Sequence, residues 1–172
     1  MLELYAHPFS SYSWKALIAL HENGTPFTFK ALDPEHPEHG EELQGISPQG
    51  NFPVLVDGTP VVFEATAIIE YLQTFHPGPV RLIPEDAAAA LRVRMLDRFF
   101  DNYVMTPMQK IVGDFLRVPE NRDPTGVEEA KTMLRRSYDW LEGTLKNRPL
   151  FPETSFSLAD CAAAPSLFYA DW

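Results

Sequence analysis

The sequence predicts two domains, an α/β unit with a mixed sheet and then an all-α unit. Three observations carry this. Strand-like and helix-like periods alternate over residues 1–76, and a strong hairpin signal, Asp57-Gly58, separates the last two strand patterns. Beyond His76-Pro77-Gly78-Pro79 only helical periodicity remains. The expected boundaries are 1–76 for the first domain, 77–85 for a linker and 86–172 for the helical domain.

Leu2, Leu4 and Ala6 alternate with other residues as a first strand, which His7-Pro8 stops. Trp14, Leu17, Ile18 and His21 recur at helical spacing, so a helix is expected from Tyr12 to about Glu22. Asn23-Gly24 closes it with residues that tolerate the left-handed conformation. Phe27, Phe29 and Ala31 alternate as a second strand, and the intervening helix implies parallel pairing with the first. The polar stretch from Pro34 to Gly50 holds one weak helix near Glu41 to Gln44. Val54-Leu55-Val56 and Val61-Val62-Phe63 are the two arms of the hairpin. Ala65, Ile68, Ile69 and Leu72 then form a stripe at i, i+3, i+4 and i+7, a core-facing helix.

In the second domain a long helix is expected from about Asp86 to Leu116, carrying Leu91, Leu96, Phe99, Phe100, Tyr103, Val104, Ile111, Val112 and Phe115. Pro107 falls inside it and must kink or interrupt it. Asp123-Pro124 reads as an N-cap with proline in the first turn. Val127, Ala130, Leu134, Leu141 and Leu145 continue the next helix, and a last one starts at Ser157.

Composition narrows the function. A chain of 172 residues with 45% hydrophobic and 22% charged residues is ordinary globular protein. No apolar run reaches the ~18 residues of a membrane span. The chain enters a strand pattern at once, with no basic start or small-residue cleavage site, which predicts no signal peptide and a cytoplasmic home. A net charge of −10 repels phosphate backbones and argues against a nucleic-acid partner. The single cysteine, Cys161, cannot form an internal disulfide, a CxxC pair or a thiolate metal cage. No histidine pair has an HExxH spacing, so no metal site is expected. The prolines pair up at Pro34/Pro37, Pro77/Pro79, Pro119/Pro124 and Pro149/Pro152, as joints between periodic segments.

Three segments then carry a resemblance. The run from Leu4 to Lys15 includes His7-Pro8-Phe9-Ser10-Ser11-Tyr12-Ser13-Trp14. It resembles the strand-loop-helix start of serine-type glutathione S-transferases, the theta and zeta classes and bacterial relatives. Ser47-Pro48-Gln49-Gly50-Asn51-Phe52-Pro53-Val54-Leu55, with Phe63 to Leu72 after it, is similar to that family's cis-proline hairpin and glutathione-binding helix. Phe156-Ser157-Leu158-Ala159-Asp160 is similar to the capping motif of its helical domain. The resemblance implies a thioredoxin-like N-terminal domain, glutathione as co-substrate, a small electrophile as the second substrate and a homodimer.

The resemblance also assigns roles. Glutathione must lose its thiol proton to become a nucleophile, and a free thiol has a pKa of ~8.5. Lowering it by two units takes ~2.7 kcal/mol. A hydrogen bond to the charged sulfur supplies ~1.5–3 kcal/mol and a helix N-terminus ~0.3–1 kcal/mol. The resemblance puts the activating hydroxyl at Ser10, with Ser11 as a second hydroxyl. All of Ser10, Ser11 and Ser13 have a structural reading too, since serine is a favoured N-cap. Tyr5 is the rival activator, and its structural reading is a core tyrosine on a strand. The Phe52-Pro53 bond would be cis, turning the backbone of Phe52 toward the cysteinyl part of glutathione. Glu64 and Ala65 start the third helix, whose free N–H groups suit the glutamyl carboxylate, with Glu64 accepting from the ammonium. The family usually has Ser or Thr at Ala65 and a lysine at Asn51, so a hydroxyl and a positive charge are missing. Thr66 stands one position off. His39, Gln49 and Asn51 are candidates for the glycyl end, against a reading as solvated loop residues. Lys15 reads as a surface charge on the first helix.

Ser157 to Asp160 fits S-x-x-D, a capping box that serves folding. Cys161 reads as a small core residue. The acceptor is expected between the domains, near Phe9, Tyr12, Phe99, Tyr103 and Met108, a stripe that would serve equally as plain core. A zeta-like isomerase acting on maleylacetoacetate and a non-catalytic binding module are the alternatives. Phe9 and Tyr12 stand where the isomerases usually have Arg and Cys. Apolar residues on more than one helix face, Val93, Met95, Met105 and Met108, suggest the dimer. Family members usually run well past the capping-box helix, so the end at Trp172 suggests that further helices are missing.

Overall fold

The computed structural model describes residues 1–147 and 155–170. The Pro149/Pro152 joint, the Leu145 side chain and the chain end at Trp172 lie outside the described residues. The first domain runs β1 (Leu2–Ala6), α1 (Ser11–Glu22), β2 (Phe27–Ala31), α2 (Pro37–Ile46), β3 (Val54–Asp57), β4 (Val61–Phe63) and α3 (Ala65–Phe75). The sheet order is β2-β1-β3-β4. β1 pairs parallel with β2 and antiparallel with β3, and β3 pairs antiparallel with β4, a mixed four-stranded sheet. The hairpin closes where the Asp57 N–H donates to the Pro60 carbonyl, 2.9 Å, with Gly58 at φ +63°.

The period-2 alternation of the strands decides which helices cover which face. Leu2, Leu4, Ala6 and Leu55 pack with Ala16 and Leu20 of α1 and Ile68 and Leu72 of α3. On the opposite face Tyr5 and Val54 pack with Leu43 of α2. The α2 helix is longer than the sequence pattern suggests, because its register depends on one buried residue, Leu43, that pins it to the sheet.

The linker is tied down at both ends. The Val80 N–H donates to Asn23 Oδ1, and Gln73 both donates to and accepts from the Ile83 backbone at 2.9 and 2.7 Å. Leu82 and Ile83 are buried with Ala19, Ile69, Ala90, Leu158 and Cys161, so the two domains share one core.

The helical domain holds α4 (Ala87–Phe99), α5 (Thr106–Phe115), α6 (Pro124–Asn147) and α7 (Leu158–Ala170). Between α4 and α5 lies a π-helical stretch, Phe100–Met105. The expected long helix is thus interrupted, as Pro107 requires, but by widening rather than by a break. Pro107 lacks the N–H that would bond the Tyr103 carbonyl one turn back. Ser137 Oγ of α6 lies 2.9 Å from that carbonyl and 2.9 Å from the Met133 carbonyl of its own helix, so its one hydrogen is shared between the two. Asp86 and Asp123 cap α4 and α6 through their carboxylates. At α7 the Asp160 carboxylate accepts from the Ser157 N–H, 2.8 Å. The Ser157 hydroxyl does not accept from the Asp160 N–H as expected; it donates to the same carboxylate, 2.7 Å. Cys161 is fully buried, and burial pushes its thiol up to about 12. Among the described residues no helix is long and apolar enough to cross a membrane.

Candidate glutathione site

The β1–α1 loop is built by short local bonds. The Ser10 N–H donates to the His7 carbonyl, 3.0 Å, and Trp14 Nε1 donates to the Pro8 carbonyl, 2.6 Å. The Trp14 ring lies 5.1 Å from that of Phe168 and 5.3 Å from that of Tyr169, which clamps the loop against α7. Ser10 is the N-cap of α1, with extended backbone at φ −85° and ψ 125°. Its Oγ accepts from the Ser13 N–H at 3.2 Å. That bond uses a lone pair and leaves the O–H free to donate.

A second loop faces it. Ser47 Oγ donates to the Asn51 carbonyl, 3.0 Å, just before the Phe52–Pro53 peptide bond, which is cis. Phe52 stacks on His7 with ring centroids 5.9 Å apart. The third wall is the start of α3. Its N-cap, Glu64, has φ +71°, a conformation that side-chain-bearing residues rarely adopt, and no side chain caps the helix. The first N–H groups of α3 therefore lack a side-chain acceptor.

These walls enclose a cleft of about 480 Å³, within the range of small-ligand sites. Ser10, Gln49, Asn51, Phe52, Pro53, Glu64 and Ala65 all line it, joined by Tyr12, Thr66, Arg98, Asp101, Asn102 and Gln109. Two expected residues stand elsewhere. Ser11 is buried under α5, with Gln109 Nε2 3.4 Å from its Oγ. His39 points to β2, its Nδ1 2.8 Å from the Ala31 carbonyl. Tyr5 is also outside the cleft, buried, and donates to Glu42 Oε2 at 2.7 Å. Burial and that carboxylate raise its pKa well above the ordinary tyrosine value.

Of the aromatic stripe expected for an acceptor, only Tyr12 lines the cleft. Phe99 packs on Trp140 at 4.4 Å inside the helical domain, Met108 is buried, and Phe9 and Tyr103 are exposed. The polar side chains Asn102 and Gln109 take the place of that stripe.

The largest correction concerns Lys15, which is 1% exposed rather than a surface charge. Its Nζ lies 2.5 Å from Asp97 Oδ1 and 2.7 Å from Asp101 Oδ2, and donates to Thr66 Oγ1 at 2.8 Å. Arg98 completes the cluster, with Nε 2.9 Å from Asp97 Oδ2 and Nη2 2.9 Å from Asp101 Oδ2. It also donates to Thr66 Oγ1. Burial pushes the Asp101 carboxyl up, and Lys15 partly opposes it. The sequence signal was present: Asp97, Arg98 and Asp101 interrupt an otherwise apolar helical stripe. Charged residues on a buried face imply partners, and the matching cation was Lys15.

A mixed four-stranded sheet flanked by helices, docked on a helical domain over a polar cleft, defines a two-domain thioredoxin-like protein. The profile "Glutathione S-transferase, N-terminal domain" matches residues 4–80, and "Glutathione S-transferase, C-terminal domain" matches residues 124–171. The chain is 32% identical to Glutathione S-transferase 1 of Dianthus caryophyllus over 173 residues, covering 96% of this chain and 76% of that protein. It is 29% identical to a Stringent starvation protein A homolog of Coxiella burnetii, covering 98% of this chain and 75% of that protein. Among solved structures it superposes with a TM-score of 0.86 on a glutathione S-transferase of Methylobacillus flagellatus with glutathione bound, at 26% identity, covering 99% of this chain and 83% of that one. The chain belongs to the glutathione S-transferase family.

Proposed function

We propose that the protein binds glutathione in this cleft and activates its thiol for transfer to a small electrophile, as a cytoplasmic transferase. The observation that carries the reading is Ser10. Its oxygen accepts from the Ser13 N–H while its hydrogen remains available, at the positive end of α1. A thiolate placed there receives a charged hydrogen bond and the helix field together, which matches the ~2.7 kcal/mol needed for two pKa units. The accepted bond also makes the hydroxyl a stronger donor. The backbone of Phe52 and the start of α3 are the two further anchors, one for the cysteinyl amide and one for the glutamyl end. The Methylobacillus structure, which holds glutathione on the same fold, supports the choice of ligand.

The same reading includes a two-fold homodimer. On α4, Leu91 and Met95 are exposed, as is Phe63 on the edge strand β4, whereas Met105 and Met108 are buried and drop out of that face. Light scattering at micromolar concentration checks it.

The functional test is retention on glutathione resin with turnover of an aryl halide. Ser10→Ala should lose at least tenfold in turnover with a modest change in glutathione affinity, and its pH–rate profile should move to the alkaline side. If Tyr5→Phe shows that pattern and Ser10→Ala does not, the tyrosine is the activator. Turnover of maleylacetoacetate in place of the halide would select the isomerase, and neither binding nor turnover the non-catalytic module.

A further inference from the structure

The connection from β2 into α2 carries the run Asp33-Pro34-Glu35-His36-Pro37-Glu38-His39. Local bonds fix its shape. The Asp33 carboxylate accepts from the Glu35 and His36 N–H groups at 2.9 and 3.0 Å. Pro37 then opens α2, with His36 as its N-cap and Glu38 in its first turn. His36 and His39 are close to one helical turn apart, so both rings fall on one side and stack with centroids 5.0 Å apart. Glu38 reaches both. Its Oε1 is 3.3 Å from His36 Nδ1 and 3.9 Å from His39 Nε2. One ligand atom from each of the three residues lies within 4.8 Å of the other two.

His39 is already set for ligation. Its Nδ1 is 2.8 Å from the Ala31 carbonyl, which can only accept, so Nδ1 carries the hydrogen. In the neutral ring the lone pair is then on Nε2, the nitrogen nearer Glu38. A backbone carbonyl behind the other nitrogen is how a metal-bound histidine is commonly held. His36 and Glu38 are exposed, so a cation reaches them without opening the fold. Four-coordinate zinc has bonds of ~2.0–2.1 Å, which puts neighbouring ligand atoms ~3.4 Å apart. The 3.3 Å spacing meets this directly, and the 3.9 Å spacing needs only a small side-chain rotation. The positive end of α2 opposes a cation. Asp33, Glu35 and Glu38, on a chain of net charge −10, act the other way.

We propose that His36 Nδ1, Glu38 Oε1 and His39 Nε2 form a binding site for a divalent transition-metal cation of the zinc kind, with water in the fourth position. Two imidazoles select this class over magnesium and calcium, which take oxygen ligands. Both rings bind as neutral imidazoles, and His36 then carries its hydrogen on Nε2. The HExxH spacing misses the site, because its histidines are three residues apart with the carboxylate between them. The proposal is independent of the glutathione reading, since none of the three residues lines the cleft.

The test titrates the metal-stripped full chain with zinc chloride by calorimetry, without glutathione, whose own thiol binds zinc. A single zinc ion per chain is expected, and magnesium chloride should give no comparable heat. His36→Ala, Glu38→Gln and His39→Ala should each weaken zinc binding at least about tenfold. His36→Ala combined with His39→Ala should abolish it. None of the three side chains belongs to the buried core, so the metal-free variants should keep the wild-type circular dichroism. His21→Gln, which changes a histidine of α1, should leave zinc affinity within about twofold of the wild type. No zinc binding up to millimolar concentration overturns the proposal. So does binding that survives the double substitution, or that falls as far in His21→Gln as in His39→Ala. Each of these outcomes leaves the glutathione reading standing, which the resin and turnover assays decide separately.

Discussion

Ser10 shows how one side chain serves stability and chemistry through different atoms. Its oxygen lone pair caps α1, and its O–H proton is what a thiolate would use. Replacing it with alanine removes both, so the activity loss in Ser10→Ala comes with ~0.5–2 kcal/mol of lost stability, to be separated by assaying folded protein. Ser13, three residues on, is the opposite case. Its hydroxyl is fully buried and has no hydrogen-bond partner among the described residues. An unsatisfied buried polar group costs ~1–3 kcal/mol. Ser13→Ala should therefore raise the urea midpoint at unchanged slope, by an amount up to that range. A lowered midpoint would mean that the hydroxyl has a partner after all.

At the level of elements, two joints control geometry. The π-helical stretch lets the helix continue past Pro107, and Ser137 bridges the Tyr103 carbonyl to the Met133 carbonyl of α6. Ser137→Ala should cost ~1–3 kcal/mol, far more than a serine-to-alanine change on a helix surface. A thermal melt that moves by less than a degree would exclude that role. The β3–β4 hairpin is held to α3 by Asp57, which accepts from Tyr71 Oη at 3.0 Å and lies 2.6 Å from His76 Nε2. Those partners, His76 first, hold the Asp57 carboxyl below the usual carboxylate range. A depressed carboxyl contributes stability that is present above the unfolded value, ~3.9, and is lost as pH falls through the lower folded value. Acid titration followed by circular dichroism should show a shallower acid limb in Asp57→Asn than in the wild type.

For the whole molecule, the decisive feature is the ion cluster where the domains meet. Lys15 of α1 meets Asp97 of α4 with essentially no water contact, and Asp101 of the π-helical stretch joins the pair from the cleft side. Removing one partner of a buried pair leaves uncompensated charge and costs ~3–5 kcal/mol. Lys15→Met should lose about that much at neutral pH. Protonating the stranded Asp101 carboxyl, which burial already pushes up, relieves part of the penalty, so the deficit relative to wild type should shrink as pH falls. A deficit independent of pH would show that packing, and not charge, is what Lys15 contributes. Because the cluster touches Thr66 and Arg98 at the cleft, domain docking and ligand-site geometry are set by the same bonds.

What the sequence determined by itself was local. Strand alternation, helical stripes, the Asp57-Gly58 turn, the caps at Asp123 and Asp160 and the Ser10 and Phe52-Pro53 loops depend on residues within a few positions of one another. Seven of the nine residues it singled out for the ligand line one cleft. Ser11 and His39 were misplaced. Ser11 opens α1 and His39 lies in α2; successive helix positions point in different directions, and spacing along the chain does not say which of them faces the cleft. Only the tertiary structure decided the fate of Lys15. Its partner Asp101 is 86 residues away, and the polar side chain on α1 has a partner only once α4 is docked. A window of sequence can show charges on a buried face, as Asp97 and Asp101 do, but the cation that meets them is decided only when α1 and α4 dock.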